Sequence, residues 1–200
     1  DGVVVAVLDT GVNYEHEDLA GQLFLNPGET GMGREDNGID DDGNGFVDDW
    51  RGWDFGVVDG HDGLDLSGPD NDPRDHFGHG THVSGTIAAA ADNGVGIAGV
   101  APKARILPVR LGDYDLNVSR SVRGIKYAHA LGAKVANMSY GGWGPSRAEL
   151  DAIRAASDTL FVIAAGNEGM NVDRERFFPC AYPARNIICV AASTPADRLP

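Results

Sequence analysis

Apolar positions along the chain follow two patterns that alternate. Residues 3–9 (VVVAVLD) form an almost unbroken apolar run, which is typical of a strand buried on both faces. Similar runs at 104–110, 134–139, 160–165 and 186–192 predict four more buried strands.

Three segments between these runs are predicted to be helices. Residues 81–91 are rich in alanine and other small residues, and residues 118–131 place apolar side chains at helical spacing. Residues 145–156 begin with proline, which suits the first turn of a helix. Strands separated by single helices predict a parallel sheet with helices on both faces, so the expected fold class is a three-layer α/β sandwich.

The composition is that of a globular chain with unevenly distributed charge. Of the 200 residues, 42% are apolar, and the net charge is −14. Residues 35–75 contain 14 acidic and two basic side chains, and we expect this Gly-, Asn- and Pro-rich segment to form loops. The negative charge disfavours nucleic acid as a partner, and no apolar run approaches the ~20 residues of a membrane span.

Three polar residues stand close to the expected carboxyl edge of the sheet. Asp9 ends the first strand, His79 stands at the start of the first helix, and Asn167 follows the strand at 160–165. Taken alone, each has an ordinary structural explanation: a turn former, a partly exposed histidine, and an asparagine that tolerates unusual backbone angles. Together they suit acyl transfer, because a carboxylate can orient an imidazole base while an amide donates to an oxyanion.

The histidine spacing also has to be weighed as a zinc site. His76, His79 and His82 recur every three residues, and imidazole nitrogen is a good zinc ligand. However, Gly78 and Gly80 weaken a helix around His79, and no glutamate lies between paired histidines as in HExxH. The zinc interpretation is therefore disfavoured.

Six segments, in this order, carry a family resemblance: AVLDTGVNYEHEDL, GHGTHVSGTIAA, GVAPKARILPVR, ANMSYGG, FVIAAGNEG and YPARNIICVAAS. With them the chain resembles the subtilases, the subtilisin-like serine proteases, over essentially its whole length. The resemblance implies that Asp9 and His79 are two members of a catalytic triad and that Asn167 donates to the oxyanion. It also implies a sheet of seven parallel strands.

The family's nucleophile, a serine in a Gly-Thr-Ser-Met-Ala type of motif, has no counterpart in this sequence. Ser193 is the only serine after Asn167, and it lacks the flanking glycine. We therefore expect residues 1–200 to be part of a subtilisin-like catalytic domain that stops before the nucleophile and is inactive alone. The alternative is a calcium-binding module of the same fold without catalysis.

The resemblance also implies where a peptide substrate binds. Residues 139–142 are similar to the edge on which subtilases pair an extended peptide, and residues 164–166 to one wall of the pocket for the residue before the cleaved bond. The expected substrate-binding residues are Ser139, Tyr140, Gly141, Gly142, Ala164, Ala165 and Gly166. Protein or peptide substrates are the implied partners.

The acidic insert, about residues 26–75, contains a calcium-loop pattern in DDDGNGFVDD. Oxygen ligands at alternate positions on a tight glycine turn converge on one point, as in an EF-hand loop. The matching ligands are Asp40, Asp42, Asn44, the carbonyl of Phe46, and Asp48. Arg51 stands where the twelfth position requires glutamate, so a remote ligand such as Asp49 or Glu29 is expected. A solvated acidic loop is the alternative.

Three further expectations concern stability and location. A second calcium site is implied by the resemblance alone, at Asp18 and Asn93. The family also implies a prodomain before the catalytic domain and, together with calcium loops and acidic charge, secretion or export. Cys180 and Cys189 stand nine positions apart, and the sequence leaves open whether they form a disulfide.

Overall fold

The sheet is parallel throughout and has six strands in the described part of the chain. The computed structural model describes residues 2–56, 67–113, 116–196 and 198. Its strands are β1 (Val4–Asp9), β2 (Trp53–Asp54), β3 (Arg105–Arg110), β4 (Val135–Met138), β5 (Leu160–Ala164) and β6 (Ile187–Val190). They lie in the order β2-β3-β1-β4-β5-β6, and every neighbouring pair is parallel. β1 therefore lies inside the sheet, between β3 and β4.

Helices cover both faces of this sheet. They are α1 (His79–Ala88), α2 (Val118–Ala130) and α3 (Arg147–Ala155). Alternate side chains of β1 point to opposite faces. Val5 and Val7 belong to a buried cluster with Ala88 of α1. Ala6 and Leu8 belong to a second cluster with residues of α2 and α3, which confirms the three-layer α/β sandwich. None of the described helices is long and apolar enough to cross a membrane.

The helices begin close to their predicted limits, and the differences have local causes. α1 begins at His79 rather than at 81, after Gly78, whose φ of 103° lies in the region favoured by glycine. α3 begins two residues after Pro145 because the Ser146 side chain caps it, accepting a hydrogen bond from the Glu149 N–H (3.3 Å). His79 is thus the first residue of α1.

Three features of the sheet differ from the expectations. The described residues contain six strands rather than the seven that the resemblance implies. β2 lies in the acidic segment assigned to loops, and it is too short for an apolar pattern to reveal because only Trp53 and Asp54 pair with the end of β3. β6 is a strand as predicted but is not buried: it lies at the edge of the described sheet, and Ile188 is 49% exposed.

An aromatic cluster anchors the acidic segment to the sandwich. Phe46, from the predicted calcium loop, makes edge-to-face contacts with the rings of Trp53, Phe55 and Tyr127 at centroid separations of 4.9, 5.6 and 4.8 Å. Tyr127 lies on α2, so this cluster connects the loop to the helical layer on one face of the sheet. Residues 57–66 of the segment lie outside the described residues.

Candidate active site

Asp9 and His79, 70 positions apart in the chain, are in direct contact. The Nδ1 atom of His79 lies 2.6 Å from Oδ1 of Asp9. Asp9 is fully buried at the end of β1, whereas the His79 side chain is 46% exposed. The carboxylate therefore fixes the imidazole from the protein side, and the second ring nitrogen, Nε2, forms no hydrogen bond within the described residues.

A glycine at the second position of α1 makes this contact possible. A Cβ atom on Gly80 would collide with the Gly11 carbonyl oxygen and stand 3.2 Å from Asp9. The Gly80 N–H donates to Thr10 Oγ1 (2.9 Å), and that hydroxyl donates to Asp75 (2.9 Å). The turn after β1 and the start of α1 are thus bonded together, which holds the carboxylate and the imidazole in register.

Burial dominates the electrostatics of Asp9 and raises its pKa above the usual value. The hydrogen bond with His79 and the Thr10 N–H, which donates to Oδ1 (2.8 Å), oppose this shift. The second carboxylate oxygen, Oδ2, is buried without a hydrogen-bond partner among the described residues. The contact with His79 is therefore one of only two side-chain or backbone hydrogen bonds that this buried carboxylate makes with the described residues.

Asn167 follows β5 in a turn that leaves it exposed. Its carboxamide forms no hydrogen bond with any other described residue, so it is free to donate. β5 pairs with β4, and β4 pairs with β1, all in parallel. This turn and Asp9 therefore lie at the same end of the sheet, where the carboxyl ends of the strands meet. Ala164 is the last residue of β5, and beyond it a cavity of about 380 Å³ is lined in part by Ala165, Gly166 and Asn167.

Segment 139–142 uses some of its backbone N–H and C=O groups in hydrogen bonds with Phe178 and leaves others unpaired among the described residues. Gly142 forms an antiparallel pair with Phe178, in which each N–H donates to the other carbonyl oxygen at 2.8 Å. Gly141 forms no backbone hydrogen bond within the described residues. Because alternate residues of an extended segment direct their N–H and C=O groups to the same side, Ser139 and Gly141 face the side opposite Phe178. The backbone of Gly142 is therefore occupied, whereas that of Gly141 is available for pairing.

The hydroxyl of Tyr140 belongs to a buried network that the sequence does not reveal. It lies 2.9 Å from Ser121 Oγ, which donates to Oε1 of Glu149 (2.6 Å). The Tyr182 hydroxyl donates to the other oxygen of Glu149 (3.0 Å) and accepts from the Ser146 N–H (2.6 Å). The spacing of Ser146 and Glu149 is typical of a helix capping box, but here the glutamate side chain turns inward.

The predicted calcium loop brings several carboxylates together. One oxygen from each of Glu29, Asp40 and Asp42 lies within 4.8 Å of the others. The Asn44 N–H donates to Asp40 (3.1 Å) and to Asp42 (3.0 Å), and its side chain donates to Asp49 (3.0 Å). We call Glu29, Asp40, Asp42, Asn44 and Asp49 the acidic cluster.

Glu29 contributes a buried oxygen without a partner to the acidic cluster. The residue is fully buried, its Oε1 accepts from the Asp42 N–H (3.1 Å), and its Oε2 has no hydrogen-bond partner among the described residues. Burial raises the pKa of Glu29, and the charges of Asp42 and Asp49 raise it further. Burial likewise raises the pKa of Asp49. This set of oxygen donors fits Ca²⁺, because a hard divalent cation would meet the unpaired oxygen and offset the repulsion.

Asp48 is not brought into the acidic cluster, contrary to the sequence prediction. Its carboxylate accepts the backbone N–H groups of Asn37 and Gly38, each at 3.0 Å, and so stabilises a separate turn. The residue has a φ of 55°, in the left-handed region that residues other than glycine rarely adopt. The position of Phe46 is set by the packing of its ring in the aromatic cluster described above.

Asp18 and Asn93 are also in contact. Asn93 Nδ2 donates to one oxygen of Asp18 (2.8 Å), and the Ile97 N–H donates to the other (2.9 Å). These hydrogen bonds, the Ile97 N–H first, lower the pKa of Asp18. Since both oxygens already have donors, nothing in this arrangement calls for a cation, and a second calcium site stays a prediction.

The histidines of the zinc pattern are not grouped together in the described residues. The acidic cluster provides the only close group of potential metal-ligating side chains there, and it contains no histidine. His79 is engaged with Asp9, and the side chains of His76 and His82 are exposed.

Cys180 and Cys189 form a disulfide, with their Cα atoms 5.1 Å apart. The bond links the segment after the Phe178 pair to β6, the edge strand. This settles the alternative that the sequence leaves open.

Known proteins similar to this chain are proteases. The extracellular basic protease of Dichelobacter nodosus is 35% identical over 219 residues, which cover 98% of this chain and 33% of that protein. Thermitase of Thermoactinomyces vulgaris is 34% identical over 200 residues, which cover 98% of this chain and 57% of that protein. The chain thus spans between a third and somewhat over half of the length of these curated relatives.

Solved structures show the same fold. Fervidolysin from Fervidobacterium pennivorans, a keratinolytic enzyme related to subtilisin, superposes with a TM-score of 0.62 at 32% identity, covering 94% of this chain and 24% of its own. The S41 psychrophilic protease gives a TM-score of 0.68 at 31% identity, covering 96% and 53%. The family model described as the Subtilase family (Peptidase_S8) matches residues 1–200. The contact of Asp9 with His79, the parallel sheet and these matches agree: the chain belongs to the subtilase family.

Proposed function

We propose that this chain carries the aspartate and histidine of a serine endopeptidase, and that the serine nucleophile lies outside residues 1–200. The contact of 2.6 Å between His79 Nδ1 and Asp9 Oδ1 carries the proposal. It is supported by membership in a family whose matched relatives are named as proteases.

In the proposed reaction, the serine oxygen attacks the peptide carbonyl while His79 accepts the serine proton at Nε2. The same proton then passes to the nitrogen of the leaving amine, which breaks the C–N bond. Asp9 keeps the other imidazole proton on Nδ1 and stabilises the charged imidazolium that forms. The Asn167 carboxamide donates a hydrogen bond to the oxygen on which negative charge develops.

A fluorophosphonate probe tests this proposal on the complete protein, since such probes react covalently with serines activated by a neighbouring base. We expect stoichiometric labelling of the folded protein and none after heat denaturation. A folded, complete protein that takes up no probe would contradict the proposal. It would favour the alternative, a calcium-binding module without catalysis.

We expect Asn167→Ala to lower kcat of the complete enzyme by about 10²–10³-fold with KM almost unchanged. This magnitude is taken from the corresponding donor of subtilisin, which acts on the charge of the transition state and not on bound substrate. Steady-state kinetics on a peptide substrate measure the effect. An unchanged kcat would remove Asn167 from the mechanism.

We further propose that an extended peptide pairs with the free edge of segment 139–142, through Ser139 and Gly141. Gly142 supports this edge indirectly, because its two hydrogen bonds with Phe178 fix the segment from the other side. Of the small residues 164–166, Ala165 and Gly166 line the cavity beside Asn167. Their small size would leave room for a large side chain next to the cleaved bond.

The acidic cluster is our proposed Ca²⁺ site. Glu29, Asp40 and Asp42 would supply carboxylate oxygens, with Asn44 and Asp49 alongside. The ion would supply positive charge that stabilises the acidic insert and, through Phe46, its aromatic anchor on the sandwich.

Export from the cell completes the proposal. Relatives in Dichelobacter nodosus and Xanthomonas campestris are named as extracellular proteases, and this chain has a disulfide, a bond that persists in oxidising compartments. A prodomain stays a prediction from the family resemblance.

A further inference from the structure

We propose that a cavity beside segment 139–142 selects a basic side chain, lysine or arginine, of the substrate through the buried carboxylate of Glu149. The inference rests on the proposed peptidase function and deepens it, because it names the class of peptide that the enzyme would cleave best.

The cavity has a volume of about 430 Å³ and borders segment 139–142 over Tyr140, Gly141 and Gly142. Its other walls are largely apolar and include Leu116, Val118, Phe178 and Pro179. Among the residues that the structure describes, Glu149 is the only charged one that lines it. An apolar chamber with a single carboxylate suits a side chain that has an apolar stem and a positive end.

Glu149 is a buried anion without a basic partner. The residue is 3% exposed, and no lysine or arginine among the described residues forms an ion pair with it. Each of its oxygens accepts one hydroxyl hydrogen bond, from Ser121 and from Tyr182. Since a carboxylate offers about four acceptor positions, it retains capacity for a further donor.

The neighbouring hydroxyl groups direct their protons toward Glu149, so what its carboxylate can still bind is a further hydrogen-bond donor. Ser121 gives its proton to Glu149, so the Tyr140 hydroxyl has to donate to Ser121. Burial, and then the charge of Glu149, raise the pKa of Tyr182 to about 12, so this hydroxyl stays protonated and donates to Glu149 at neutral pH. A cationic side chain of a substrate would complete the set of donors around the carboxylate.

A peptide paired with Ser139 and Gly141 would bring side chains to this cavity. Alternate residues of an extended strand project to the same face, so one of the side chains preceding the cleaved bond would reach the cavity beside Gly141. Lysine or arginine would neutralise Glu149 in surroundings of low polarity, where charge–charge interactions are strong. An acidic side chain would be repelled, and an uncharged one would leave the carboxylate unpaired. The net charge of −14 also favours the approach of basic peptides.

The test uses the complete enzyme and peptides that carry either lysine or norleucine, which has a similar stem without the charge, at each of the second to fifth residues before the cleaved bond. At one of these positions, we expect kcat/KM to be about 10–100-fold higher for lysine, the range for a hydrogen-bonded charge pair. The isosteric variant Glu149→Gln should lose this preference for lysine, so that its kcat/KM is similar for the lysine and norleucine peptides, while it still cleaves the norleucine peptide. Equal ratios for the wild type and Glu149→Gln at every position would overturn the inference.

A second variant and a binding assay keep the inference testable if Glu149→Gln fails to fold or if the protein does not cleave peptides. Val118→Lys adds a positive charge at the half-exposed rim of the cavity, so it should reduce the preference for lysine. Fluorescence anisotropy of the same peptides on His79→Ala measures binding without chemistry. Cleavage without any preference for lysine contradicts this inference alone. If the wild-type complete protein cleaves none of the peptides but binding prefers lysine, the result supports this inference and contradicts the proposed function.

Discussion

Replacing His79 by alanine will reduce kcat/KM of the complete protein on a peptide substrate by about 10⁴-fold or more, a magnitude taken from serine proteases that include subtilisin. The reason lies in the geometry: Nδ1 is bound to Asp9 at 2.6 Å, which leaves Nε2 of a half-exposed ring as the proton acceptor. Initial rates measured with purified, correctly folded variants check the prediction.

Two further variants make this experiment specific. Asp9→Asn preserves the size of the buried group but offers an amide donor to Nδ1, so the imidazole is held in the wrong tautomer and the loss should again be about 10⁴-fold. His82→Ala, one turn further along α1, removes an exposed imidazole outside the contact and should leave activity close to that of the wild type. If His79→Ala retains most of the activity, another group is the base and the proposed mechanism is wrong.

The strands and helices that position this pair are largely predictable from local sequence. β1 is an apolar run that ends in Asp9, and both of its faces are buried as that pattern indicates. The contact itself is not a local property, since it joins residues 70 positions apart and depends on the absence of a side chain at Gly80. The predicted sheet places both residues near the carboxyl ends of its strands, and the order of motifs shared with a known family predicts that they pair.

The parts that sequence patterns missed depend on contacts between distant segments. β2 exists because two residues of the acidic insert pair with β3, and no apolar period marks so short a strand. Glu149 has the position expected of a helix-capping residue, yet Ser121 and Tyr182 draw its side chain inward. In the calcium loop, alternate spacing predicts Asp40, Asp42 and Asp48 as ligands. The first two lie close together beside Glu29, whereas the carboxylate of Asp48 accepts from backbone N–H groups of another turn.

Removing calcium with a chelator should lower the melting temperature of the complete protein by about 3–6 °C. Free calcium at about ten times its dissociation constant stabilises a site by about 1.4 kcal/mol, and each kcal/mol shifts the transition of a domain of this size by about 2–4 °C. Thermal unfolding with calcium and with chelator measures the difference. Terbium luminescence offers a direct readout of binding, since Trp53 contacts Phe46 of the loop at 4.9 Å and can sensitise a bound ion.

The variant Glu29→Gln distinguishes a calcium site from a solvated acidic loop, because the two predict effects of different sign. Without calcium, Glu29 is a buried carboxylate beside Asp42 and Asp49 with one oxygen unpaired, so its neutralisation should leave stability unchanged or increase it. With calcium, the same substitution removes a ligand and should lower the melting temperature. Asp36→Asn, which removes an exposed charge from the same insert, should leave the melting temperature almost unchanged both with and without calcium. Identical melting curves with and without chelator would refute the site, since an ion bound only to the folded state has to stabilise it.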